Sequence, residues 1–120
     1  MFENDHQAAG LVRLCARGSA RADLRALPDE PRRALGFDLR RVQLGKFARD
    51  WKPMTAVGPG VVEIRVRDAQ GAFRLLYVAK FADAIYVLHA FQKKSQKTSR
   101  LDLDVARKRY EEIRRARKET

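Results

Sequence analysis

Residues Gly60–Arg100 read GVVEIRVRDAQGAFRLLYVAKFADAIYVLHAFQKKSQKTSR, and their periodicity decides the fold. Val61–Arg67 alternates Val62, Ile64 and Val66 with Glu63, Arg65 and Arg67, the period of a half-buried strand. Phe73–Lys80 is more continuously apolar, as a central strand would be, and Ile85–Phe91 follows with Ile85, Tyr86, Val87 and Leu88 ahead of His89. The links Asp68–Gly71 and Ala82–Asp83 are short enough only for antiparallel hairpins. The meander runs into QKKSQKTSR, which holds four cations in nine residues and no acid.

The polar positions of this meander carry the functional signal. Arg65, Arg67 and Arg74 fall within one hairpin and can converge on one face of a small sheet. His89, Lys93 and Lys94 stand at the exit of the next strand, with Tyr77 and Phe91 nearby. Taken singly, each arginine reads as a solvated sheet position. Together with stackable rings they suit a polyanion with bases, which is RNA or single-stranded DNA.

Working outward, Ser19 is a candidate N-cap, and Ala20, Leu24 and Leu27 follow at helical spacing up to Pro28. Asp29 is placed to cap a second helix with Pro31 in its first turn, a Leu35, Leu39, Val42 stripe and Gly45 as its stop. These two helices form a hairpin over one face of the sheet. Leu11–Cys15 is a short strand at the sheet edge. Residues 46–60, with two prolines and two glycines, read as a connecting loop with Phe47 and Trp51 packed beneath it. Ser99 and Asp102 make a capping box for a last helix, whose buried face is Leu103, Ala106, Tyr110 and Ile113. The order β-α-α-β-β-β-α predicts an α+β domain with a small, mostly antiparallel sheet. Residues 1–10 read as a flexible N-terminal arm and residues 11–120 as one domain.

Formal net charge is +11, and arginine outnumbers lysine, which favours bidentate phosphate contacts. Charge density peaks in residues 61–100, with 8 basic groups against 3 acidic. Cys15 is the only cysteine, so an intramolecular disulfide and a metal site built on several cysteines are excluded. The start, MFENDHQAAGLV, has neither a basic leader nor a long apolar run, so no membrane partner and a cytoplasmic location are expected. His6 lies in the arm, which gives no support to a two-histidine metal site, and Gly58–Gly60 is too short for a nucleotide-binding loop.

The runs EIRVRD, FRLLYVA and YVLHAFQKKSQKT stand in this order after DLRALPDEPRRALGFDLRRVQLG. In that arrangement they resemble the phage-derived branch of the RelE/HigB toxins of bacterial type II toxin–antitoxin systems. The resemblance spans Asp23–Ile113, and HAFQKK is its most specific piece. It implies a RelE-like toxin domain and a ribosome-dependent endoribonuclease that cuts mRNA without a metal or other cofactor. In that chemistry the 2′-hydroxyl attacks the adjacent phosphorus, cations stabilise the phosphorane, and an acid protonates the leaving 5′-oxygen. Arg74 matches the family position for phosphate stabilisation, Arg65 a cation of the preceding strand, and Lys93 a basic position after the last strand. His89 is the leading acid–base candidate because imidazole titrates near neutrality; a sheet histidine satisfied by a neighbour is the competing reading. Glu63 stands where other branches carry lysine, and a carboxylate there can itself serve as base. Tyr77 matches a tyrosine close to the family's site. Arg67, Lys94, Lys97 and Phe91 are expected to contact RNA. The implied partners are the ribosome, its mRNA and a cognate antitoxin, of helix-turn-helix type, from the adjacent gene. Two other functions stay open: a non-catalytic RNA- or DNA-binding module, and an inactive phage-derived remnant.

Overall fold

The computed structural model describes residues 12–16, 18–79, 81 and 84–118. The expected arm at residues 1–10, with His6, and the Ala82–Asp83 link lie outside the described residues. The elements are β1 (Arg13–Cys15), α1 (Gly18–Arg25), α2 (Asp29–Gln43), β2 (Trp51–Pro53), β3 (Val61–Asp68), β4 (Gly71–Val78), β5 (Ala84–Lys93) and α3 (Arg100–Lys118). The α+β architecture is the expected one. The strands form one five-stranded sheet in the order β1-β5-β4-β3-β2, antiparallel except where β1 pairs with β5.

Strand alternation divides the core between two faces. Ile64, Phe73, Leu75, Tyr77, Ile85 and Val87 point to the α1–α2 hairpin and pack with Leu24, Leu35 and Leu39. Val61, Leu76, Val78, Tyr86 and Leu88 point the other way and pack with Ala106, Tyr110 and Ile113 of α3. The central strand β4 is buried on both faces, which is why its sequence reads as a nearly continuous apolar run. The third helix covers only one end of its face, so the other end of that face is left for polar side chains.

Local signals account for most boundaries. Helix α2 stops in a Schellman motif: Lys46 N–H donates to the Arg41 carbonyl at 2.9 Å and Gly45 N–H to that of Val42 at 3.0 Å. Gly45 sits at φ 84°, the left-handed conformation that this stop requires. Ser99 caps α3, with Asp102 N–H donating to Ser99 Oγ at 3.0 Å. The loop before β3 lies against α3 because Gly58 carries no side chain. A Cβ there would stand 2.6 Å from the Tyr110 ring, whose hydroxyl donates to the Pro59 carbonyl at 2.9 Å.

Four expectations are corrected. Residues 46–60 contain the edge strand β2, paired with β3 through Trp51–Ile64, Lys52–Glu63 and Pro53–Val62. Three residues with a proline show no readable period, and the pairing that forms them is non-local. Phe47 and Trp51 do not pack beneath this segment; they are 63% and 37% exposed. Ser19 lies inside α1, which starts at Gly18. Asp29 makes no cap bond either: Pro28 holds the cap position, and Asp29 with Glu30 supplies first-turn negative charge instead.

Candidate functional site

On the α3 side of the sheet, three rows of side chains run across β3, β4 and β5. They are Glu63–Leu76–His89, Arg65–Arg74–Phe91 and Arg67–Ala72–Lys93. The third strand joins these rows only through a β-bulge. Tyr77 pairs with Val87 while Leu76 pairs with His89, so Leu88 is the extra residue. Without it, strict alternation would send His89, Phe91 and Lys93 to the α1–α2 side with Ile85 and Val87.

A buried ion cluster forms the centre. Glu63 is 1% exposed and Arg74 is 5% exposed. The carboxylate lies 3.6 Å from Arg74 Nε and 3.8 Å from Arg65 Nε, too far for hydrogen bonds. Both Nε atoms are buried and donate to no partner. Arg74 spends one donor on the Phe73 carbonyl, from Nη1 at 3.2 Å. Burial pulls the Arg74 pKa below the ordinary guanidinium value, and Arg65 and Arg67 add to that pull against Glu63. A guanidinium stays charged in a protein regardless. The lowered value therefore records a cation held at a cost, which an incoming anion would relieve. Each unmet buried donor costs about 1–3 kcal/mol. The two donors flank the Glu63 carboxylate, and Arg67 and Lys93 stand in the next row of the sheet.

Lys93 stands at the rim of this cluster, its Nζ donating to the Gln96 carbonyl. Its pKa is lowered by desolvation first and then by Arg74, Arg65 and Lys52, with Glu63 opposing. A depressed ammonium gives up its proton more readily than a solvated lysine. Arg67, Lys94 and Lys97 are exposed; Arg67 lies in the Lys93 row, and the two lysines follow β5.

His89 belongs to a different arrangement. Its Nδ1 lies 3.1 Å from Asp23 Oδ2 of α1, and its Nε2 lies 2.8 Å from Asp102 Oδ1 of α3. Arg109 Nη1 donates to Asp23 Oδ2 and to the Leu88 carbonyl, each at 2.8 Å. The imidazole also stacks on Phe91 at 4.9 Å between centroids. Both ring nitrogens are thus engaged by carboxylates, and the group ties α1, β5 and α3 together behind the arginine cluster. Phe91 is buried and forms the floor between His89 and Arg74.

Tyr77 is not brought to this face. It is buried under the α1–α2 hairpin, because it alternates with Leu76 on β4. Burial pushes its phenol up to about 12 from 10.0. The unfolded chain ionises at the lower value, so the stability this tyrosine contributes is intact below pH 10 and declines as pH rises towards 12. Urea unfolding at pH 9 and pH 11.5 should show a loss that Tyr77→Phe reduces, by up to about 2 kcal/mol.

Sequence reasoning missed Lys52, Asp23 and Arg109. Lys52 pairs with Glu63 across β2, a strand with no sequence signal. Asp23 and Arg109 lie on helices whose polar positions carry no periodic cue. Asp102 was recognisable as a cap, and the structure adds a second use: Oδ2 accepts from Ser99 Oγ at 2.8 Å while Oδ1 faces His89. Among the described residues, no group of three or more histidine, cysteine or carboxylate side chains is arranged to hold a metal ion. No described helix is long and apolar enough to cross a membrane.

Comparison with known proteins adds one match. The family model described as "Phage derived protein Gp49-like (DUF891)" matches residues 22–111. No curated protein matches the chain. The matched span runs from Ala22, beside Asp23 on α1, to Glu111 on α3, and so takes in the arginine cluster and the His89 network.

Proposed function

The chain belongs to the phage-derived Gp49-like family, a family of toxin-like proteins, and from that premise we propose that it is the RNA-cleaving toxin of a type II toxin–antitoxin pair, of RelE/HigB type. The observation that carries this reading is the pair of buried Nε–H groups of Arg65 and Arg74, neither with a hydrogen-bond partner, on a cationic sheet face. They suit the non-bridging oxygens of a phosphodiester, whose negative charge grows in the phosphorane. The 2′-oxygen bonds to phosphorus and the bond to the 5′-oxygen breaks, leaving a cyclic 2′,3′-phosphate and a 5′-hydroxyl end. Glu63 takes the 2′-proton, and Lys93, with its lowered pKa, delivers a proton to the 5′-oxygen. Arg67, Lys94 and Lys97 hold the flanking backbone. His89 holds Phe91 and α3 in place. The target is mRNA on the ribosome, and the neutralising partner is an antitoxin from the adjacent gene whose acidic segment covers the cationic face. The place of action is the cytoplasm.

Induced expression followed by mapping of mRNA 5′ ends tests this. New ends confined to translated messages, suppressed when the adjacent gene is co-expressed, are the expected result. A second reading, RNA binding without cleavage, draws on Glu63: a carboxylate already pairing with both arginines competes with the phosphate. Ribosome binding with no new mRNA ends would favour it.

A further inference from the structure

The segment Lys46–Lys52 carries two large aromatic rings where solvent reaches them. Phe47 and Trp51 stack on each other at 4.7 Å between centroids with planes 7° apart. Phe47 is 63% and Trp51 37% exposed, and neither belongs to the two buried clusters. Yet the segment that presents them is firmly held. Arg41 Nε donates to the Phe47 carbonyl at 2.9 Å. Arg49 donates to Asp38 Oδ1 from its backbone N–H at 3.1 Å and from Nε at 2.9 Å. Its Nη2 reaches Asp38 Oδ2 at 3.3 Å, and Asp38 is 1% exposed. That bond raises the Arg49 pKa, the mark of a guanidinium fixed by a carboxylate. The same guanidinium lies 4.6 Å over the exposed Phe37 ring. An exposed stack on a pre-set segment meets a flat partner without an ordering cost.

The surroundings select the partner. Lys46 and Lys52 flank the stack and are exposed, against a single exposed acid, Asp50. The stack lies close to the arginine face but not on it: Lys52 shares the face of Glu63 and Arg65, whereas Trp51 shares that of Ile64, on the α1–α2 side. Lys52 is opposite Glu63, Trp51 is opposite Ile64, and Arg65 N–H donates to the Asp50 carbonyl at 2.9 Å. A strand leaving Arg65 across β2 therefore meets Lys52 and then, around the free edge of the sheet, the two rings. We infer that Phe47 and Trp51 form a base-stacking platform for single-stranded nucleic acid, a second contact beyond the phosphate cluster. This rests on the reading of RNA as the partner. Stacking asks only for a π-face, so the platform is indifferent to base identity.

Trp51 is the only tryptophan, so its fluorescence reports the platform directly. The probe is a 2′-O-methylated single-stranded RNA, which cannot be cleaved by 2′-attack, with a terminal dye for anisotropy. Saturable quenching of Trp51 is expected, with Phe47→Ala and Trp51→Ala each weakening binding about tenfold. Binding by anisotropy with unaltered Trp51 emission and parent-like variants overturns the platform and leaves the phosphate cluster standing. No binding at any salt concentration also overturns it, while cleavage is judged separately on ribosomes. Quenching by the adjacent-gene protein but not by RNA overturns it in favour of protein docking. Quenching by RNA with no cleavage on ribosomes keeps the platform and removes the toxin reading.

Discussion

Arg74→Ala is expected to cut single-turnover cleavage on programmed ribosomes by about 10²–10³, or roughly 3–4 kcal/mol. The magnitude follows from where the guanidinium sits. Arg74 is 5% exposed, its Nε has no hydrogen-bond partner, and burial has lowered its pKa. A charge held in so dry a place acts most strongly where new negative charge appears, which is on the phosphorane rather than on the bound ground state. Lys97→Ala supplies the contrast. Lys97 is exposed on the segment after β5, so its loss should weaken encounter and leave the chemical step nearly unchanged. Circular dichroism must show both variants folded. Parent-rate cleavage by Arg74→Ala at saturating protein would remove this arginine from the phosphate site.

Glu63→Ala should destabilise the fold by about 3–5 kcal/mol, read as a fall in the urea midpoint. The reason is asymmetry: the carboxylate is 1% exposed and faces two guanidiniums whose Nε atoms are also buried. Removing it leaves those cations uncompensated. Glu63→Gln keeps the shape and an acceptor oxygen, so its loss of stability should be smaller. Glutamine cannot take up the 2′-proton, and cleavage by this variant should fall by about 10²–10⁴. If Glu63→Gln destabilises the protein yet cleaves at the parent rate, Glu63 is only a counterion and the base lies elsewhere. The two variants thus separate the electrostatic role of one side chain from its chemical role.

The order of the elements other than β2 was legible in the sequence because each rests on a local signal. Val62, Ile64 and Val66 alternate, Leu35, Leu39 and Val42 recur at helical spacing, Gly45 stops α2, and Ser99 with Asp102 starts α3. The cationic character of the β3–β4 hairpin was legible too, since Arg65 and Arg74 need only antiparallel pairing to meet. The strand β2 was not, because three exposed residues ending in proline gain their order only from pairing with β3. Nor was the exposure of Phe47 and Trp51, since aromatic rings carry no mark of which side of a loop they will take. The network of Asp23, His89, Asp102 and Arg109 joins four residues from three elements, and no spacing along the chain encodes such a meeting.

What the sequence by itself determined is therefore every element but β2, the antiparallel meander and a basic face suited to a polyanion. Which side chains share that face was decided by the tertiary structure. Tyr77 is lost to it by simple alternation, one residue from Leu76. His89, Phe91 and Lys93 are gained only because Leu88 is extra in the pairing with β4 and shifts the strand by half a period. A bulge of this kind forms where the packing on both faces is better satisfied than it would be by strict alternation. Here Val87 and Leu88 are both buried, on opposite faces, and Ala90 returns to the face of Val87. Val87 shares its cluster with Leu24 of α1 and Leu88 shares its own with Tyr110 of α3, partners that only the folded core brings to β5.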